Sequence, residues 1–187
     1  MSVVINGSTG ITTNSGTLLS NSTIGVGNAT PAASGAGITF PATQSASSDA
    51  NTLDDYEEGT WTPVLDSQTA GTGRVTTVNE ATYTKIGRLV TISADIEMGT
   101  LGSGGSGFAV IKGLPFSRDK WGGISFGYVA NLNNSLVFIS GYAGDTTTSI
   151  AITGMGSAAA TVDERTFSTY IKAGTRFIFT GFYYSAT

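Results

Sequence analysis

Asp54, Asp55, Glu57 and Glu58 crowd four carboxylates into five positions, just ahead of Trp61 and Pro63. Two carboxylates held a few ångströms apart across a sugar cleft hydrolyse a glycosidic bond. Calcium binding is a second chemistry for such a segment, and it needs about six to eight converging oxygens. A third role is structural: a solvated acidic joint whose like charges face outward or pair with Arg74, Lys85 or Arg88. We prefer the last, in which Asp54, Asp55, Tyr56, Glu57, Glu58, Trp61 and Pro63 join two regions of the chain. Asp163, Glu164 and Arg165 pose the same choice between a catalytic set and a salt-bridged loop, and they mark the one place where a short helical turn is expected.

Aromatic residues near turns offer a different chemistry. Trp121 lies in Arg118-Asp119-Lys120-Trp121-Gly122-Gly123, and Tyr142 and Tyr56 have comparable settings beside charges and glycines. Exposed rings of this kind stack on sugars or anchor protein interfaces. The competing role for Trp121 is to cover the edge of its own core.

Histidine and cysteine are both absent. Their absence removes His-based triads, Cys nucleophiles and nearly all zinc and haem ligand sets. Without a His or a suitable Lys partner, none of the many Ser and Thr residues reads as an activated nucleophile. No catalytic residue, cofactor or metal is therefore expected. Lys plus Arg number 9 against 13 Asp plus Glu, for a net charge of −4. That acidity argues against a nucleic-acid partner, which requires a basic face. Charged residues are only 12% of the chain, yet 40% is hydrophobic, so disorder throughout is not expected. So little charge suggests that uncharged surface is covered in an assembly. Apolar runs are too short to span a membrane, and no basic region followed by an apolar core suggests a secretory signal.

The composition changes sharply at the acidic segment. Residues 1–52 are rich in Gly, Ser, Thr, Asn and Ala, with sparse apolar residues that include Ile5, Ile11, Leu18, Ile24, Ile38 and Phe40. Helix is disfavoured there, and one extended chain cannot bury enough surface to offset its ordering entropy. The alternatives are a flexible linker and a stem intertwined with copies of itself. We prefer the stem, with those six residues as its shared core, because a pure linker seldom carries such regular Ile and Leu. Residues 53–63 form the joint. Residues 64–187 read as short strands separated by Gly-rich turns. Within Leu89 to Met98, for example, Val90, Ile92, Ala94, Ile96 and Met98 alternate with polar residues. Phe177 to Phe179 and Phe182 to Tyr184 form a closing strand that is apolar on both faces, suited to a place between two layers or against neighbouring subunits. The fold expected is all-β: an extended stem followed by an antiparallel, jelly-roll-like β-sandwich head.

Four segments taken together resemble bacteriophage virion appendages of the tail-fibre and receptor-binding kind. They are Gly37 to Gln44, Leu53 to Pro63, Tyr83 to Val90, and Ile111 to Phe116. The resemblance covers roughly Gly37 to Phe116 and, more loosely, the aromatic C-terminus. It implies a homotrimer with a β-rich stem and a sandwich head, made in the host cytoplasm and carried on the virion beside other phage structural proteins. Its function would be attachment to the host cell surface, with Trp121 and Tyr142 meeting bacterial surface glycan. Two alternatives stay open: a capsid decoration protein (cement or head fibre) and a polysaccharide depolymerase. Depolymerase tailspikes usually carry a large β-helix, for which this chain is short.

Overall fold

A computed structural model describes residues 23–43, 47–49, 51–144, 146–157 and 161–186. Contacts divide the chain into two units, Met1–Ser45 and Ala46–Thr187. In the smaller unit, β1 (Thr23–Gly25) pairs in parallel with β2 (Gly37–Thr39), placing Ile24 opposite Ile38. Both isoleucines are exposed, while Phe40 is half-buried. Ile5, Ile11 and Leu18, expected to share a stem core with them, lie outside the described residues.

Among its described residues the larger unit is all-β apart from one helical turn, α1 (Phe167–Tyr170). Its strands are β3 (Tyr56–Thr60), β4 (Val64–Thr69), β5 (Val75–Ile86), β6 (Leu89–Thr100), β7 (Ser106–Lys112) and β8 (Arg118–Lys120). They continue with β9 (Gly122–Ala130), β10 (Phe138–Ala143), β11 (Ser149–Met155), β12 (Asp163–Glu164) and β13 (Arg176–Ser185). All belong to one antiparallel sheet of order β3-β5-β6-β13-β9-β10-β11-β7-β4, with β12 beside β11 and β8 beside β13. Residues 53–63 thus belong to the larger unit, and part of the expected joint is its edge strand β3.

Chain length dictates the shape of this sheet. Nine strands laid flat at about 4.8 Å spacing would hold β3 and β4 some 38 Å apart. Only Trp61, Thr62 and Pro63 connect them, and four Cα steps reach no more than about 14 Å. The sheet therefore curls on itself. The Leu65 N–H of β4 donates to Thr76 Oγ1 of β5 at 2.9 Å, and the Trp61 N–H donates to the Ala81 carbonyl at 3.2 Å. Where two stacked sheets were expected, one continuous sheet supplies both sides of the core.

Alternation decides which residues the curl encloses. On β6, Val90, Ile92, Ala94, Ile96 and Met98 are buried, as their spacing predicts. Leu65, Ile111, Ile150, Ile152, Phe177 and Phe179 join them. Trp61 and Pro63 are buried too. The Trp61 indole N–H donates to the Ser93 carbonyl at 3.3 Å, and its ring meets Phe179 edge-on. Fully buried Tyr183 donates its hydroxyl to the Phe116 carbonyl and accepts the Phe116 N–H. Burial, opposed by that hydrogen bond, pushes its phenol up to about 12.

The helical turn lies later than expected. Asp163 and Glu164 form β12 because the edge of β11 offers backbone partners, with Glu164 opposite Thr153 and the Arg165 N–H bonded to the Ile152 carbonyl. The turn begins at Phe167, whose ring is buried.

One buried charge ties the loops at an end of the curl. Asp66 accepts hydrogen bonds from the Ser67 N–H at 2.7 Å and the Gly71 N–H at 3.1 Å, and it pairs with Arg74 and with Lys112 at 3.0 Å. Arg74 also donates to the carbonyls of Leu101 and Gly104 and stacks on Phe167. It thus fixes the Gly/Ser-rich segment between β6 and β7. Burial would raise the Asp66 pKa, but the Gly71, Lys112, Ser67 and Arg74 hydrogen bonds outweigh it and hold the carboxyl below its ordinary range. A depressed folded-state value stabilises fully above the unfolded value, and that stabilisation disappears as pH falls through the folded one. Asp66→Asn should therefore cost about 3 kcal/mol at neutral pH. It should also flatten the loss of stability that the native chain shows below about pH 4. Urea unfolding across a pH series checks both.

Candidate functional site

The acidic segment and the aromatic residues separate into two sites. Along β3 side chains alternate between faces, so Glu57 and Glu58 point opposite ways and cannot flank one scissile bond. Asp54 accepts the Ser47 N–H at 2.7 Å. Asp55 forms a buried pair with Lys85, and the Asp55 carbonyl accepts the Gly87 N–H. Glu57 accepts the Tyr83 hydroxyl, which pushes that phenol up to about 12; burial and the carboxylate charge add to the shift. Glu58 accepts the Tyr56 hydroxyl on the outer face, raising the Tyr56 pKa as well. Of the three cations considered as partners, only Lys85 serves; Arg74 pairs with Asp66 and Arg88 with Asp119. Among the described residues no acidic group assembles three or more potential metal ligands. These contacts fasten an edge strand to the sheet.

Trp121 and Tyr142 do come together, one from the single-residue link between β8 and β9 and the other from β10. β8 and β9 both pair with β13, and Trp121 is the single residue between them. Gly122 is forced by its neighbours, because a Cβ there would stand 1.7 Å from the Phe182 carbonyl oxygen. This close approach carries the preceding indole outward, and Trp121 remains 65% exposed. Tyr142 on β10 sits opposite Gly123 of β9 and donates its hydroxyl to Glu164 Oε1 at 2.7 Å. The two rings meet with centroids 5.1 Å apart at 34°, and the Arg118 guanidinium lies 4.9 Å from the indole centroid. Trp121 therefore does not cover a core edge; it presents an aromatic surface to solvent, held by Tyr142 and Arg118. Tyr56, the third aromatic singled out from sequence, is far along the sheet on the β3 edge.

Beyond Tyr142 the outer face continues as a groove of about 670 Å³ over β9. Gly123 and Ser125 floor it, Ser140 flanks it on β10, and Thr180, Phe182 and Tyr184 flank it on β13. Its signal in the sequence was the closing strand with apolar residues on both faces. Phe177, Phe179 and Tyr183 enter the core, whereas Phe182 and Tyr184 are 48% and 43% exposed. The small residues that hollow the groove gave no sequence signal, since Gly and Ser recur throughout the chain.

Gly144 sets how closely the Trp121 and Tyr142 rings approach. A Cβ there would lie 2.0 Å from the Tyr142 ring and 2.8 Å from that of Trp121. Gly144→Ala should force the rings apart and cost about 1–3 kcal/mol. The emission of Trp121 should shift to the red with easier acrylamide quenching, against the constant background of buried Trp61; an unchanged spectrum would refute the packing. No family model, curated protein or solved structure matches the chain.

Proposed function

We propose that this chain is a non-enzymatic attachment protein of a bacteriophage appendage, whose curled sheet is the sandwich-like head of a homotrimeric tail fibre. The observation that carries this proposal is the Trp121 indole, largely in solvent and stacked on Tyr142 beside Arg118. A large exposed aromatic surface held in one orientation loses little entropy on binding, and a sugar ring offers it an apolar face. Exposed Ile24 and Ile38 in the smaller unit support a stem, because an apolar pair in solvent gains by packing against sister chains. Three copies would turn weak individual sites into firm attachment.

A decoration protein of the capsid is the second proposal, and a specific observation favours it. Tyr56, Ile86, Leu89 and Tyr184 follow one another across neighbouring strands at one end of the outer face, all of them exposed. A row of this kind suits a protein lattice as well as a sugar.

The purified chain should sediment as a trimer and adsorb to susceptible bacteria, and isolated surface polysaccharide should block adsorption. Trp121→Ala should abolish adsorption while changing stability by less than about 1 kcal/mol, because so little of the indole is buried. Unchanged adsorption by that variant would refute the attachment site. Antibody labelling confined to particle heads would favour the decoration protein.

A further inference from the structure

We propose that the groove over β9 binds the uncharged chain of a neutral polysaccharide whose end rests on Trp121 and Tyr142. This rests on the attachment reading above and extends it to a second, longer subsite. The groove exists because β9 turns Gly123 and Ser125 outward, with Tyr142 opposite Gly123 and only Thr180 opposite Ser125, while Phe182 and Tyr184 form its wall on β13. A Cβ at Gly123 would meet no heavy atom within 4 Å, so the space above it is open. Gly123 also lies opposite Tyr142 in the register, which puts the groove next to the aromatic surface.

The lining selects the occupant. None of its ten residues is charged, so an ionic ligand would leave its solvent and find no counter-charge there. Hydroxyls of Thr91, Ser125, Ser140 and Thr180 stand among Phe182, Tyr184 and Leu89. Saccharide chains match that mixture, with hydroxyls at the ring edges and C–H faces that stack on aromatic rings. Thr180 donates its hydroxyl to the Ile92 carbonyl at 3.0 Å, but a wholly apolar partner would take water from the hydroxyls of Thr91, Ser125 and Ser140 without replacing its hydrogen bonds. The volume of about 670 Å³ lies within the range of about 300–1,000 Å³ usual for ligand clefts. Exposing Phe182 and Tyr184 in mid-sheet brings nothing to the core, and a bound chain accounts for it.

The test titrates neutral and acidic bacterial surface oligosaccharides, short and long, into the full chain by calorimetry, with the mass of each variant followed by sedimentation. Long neutral oligosaccharides should bind about tenfold more tightly than their disaccharides. Gly123→Leu fills open space on a backbone that accepts a side chain, and it should erase that gain from length. Trp121→Ala should weaken short and long ligands alike. If Gly123→Leu does not fold, Ser125→Leu takes its place. Length dependence that survives the filled groove would overturn the proposal and leave the Trp121 surface standing. The proposal also fails if acidic chains bind as well as neutral ones, if no neutral chain binds, or if filling the groove changes the oligomer, which would make a second copy its occupant. Loss of binding with Gly123→Leu but not with Trp121→Ala would instead keep the groove and remove the aromatic end.

Discussion

Thr60 and Val64 stand at opposite ends of a nine-strand hydrogen-bonded path, yet three residues join them. A connection that short cannot cross a flat sheet, and the rest of the architecture follows from it. The sheet must roll until its ends approach, which creates an enclosed face and an outer one. Trp61 and Pro63, on the connection itself, turn inward and pin the closure to Ser93 and Phe179. Because the roll is long and nearly helix-free, its loops need separate ties. The buried carboxylate of Asp66, shared between Arg74 and Lys112, supplies one at the end where the Gly/Ser-rich segment returns.

The enclosed face carries the hydrophobic core, whereas the exposed indole of Trp121 and the groove over β9 lie on the outer face. There the composition is uneven. Near Arg176 the surface is charged, with a two-point pair to Asp95 at 2.8 and 2.6 Å. Around β9 it is neutral and hollow, because the outward positions hold Gly123 and Ser125. Glycine acts there in two ways: at Gly122 and Gly144 it permits close approaches that orient Trp121, and at Gly123 it leaves space. The same residue type thus builds both the raised aromatic edge and the trough beside it.

Much of the fold was legible in the sequence. The alternation from Val90 to Met98 fixed a half-solvated strand, and the apolar run from Phe177 to Tyr184 marked the closing one. The all-β class followed from those patterns. Closure by one sheet was not legible, since it depends on β3 and β4 lying at opposite ends of the strand order, which no local pattern reports. Asp163 to Arg165 misled because their local preference for a turn gave way to hydrogen-bonding partners on the β11 edge. Asp55 and Lys85 are far apart in sequence, and only pairing across β3 and β5 buries them together. Trp121 and Tyr142 were each visible as aromatics near turns, but their contact arises from the β9–β10 register. The groove left the faintest trace, because it is made of absent side chains.

An amide chemical-shift map of the chain, recorded with and without surface polysaccharide from a susceptible bacterium, tests the outer-face account most directly. Perturbations should concentrate on residues 121–125, 140–142 and 180–184, three segments that are neighbours only on the curled sheet. Shifts confined to β3 and its carboxylates, or to the charged end around Asp95 and Arg176, would contradict it.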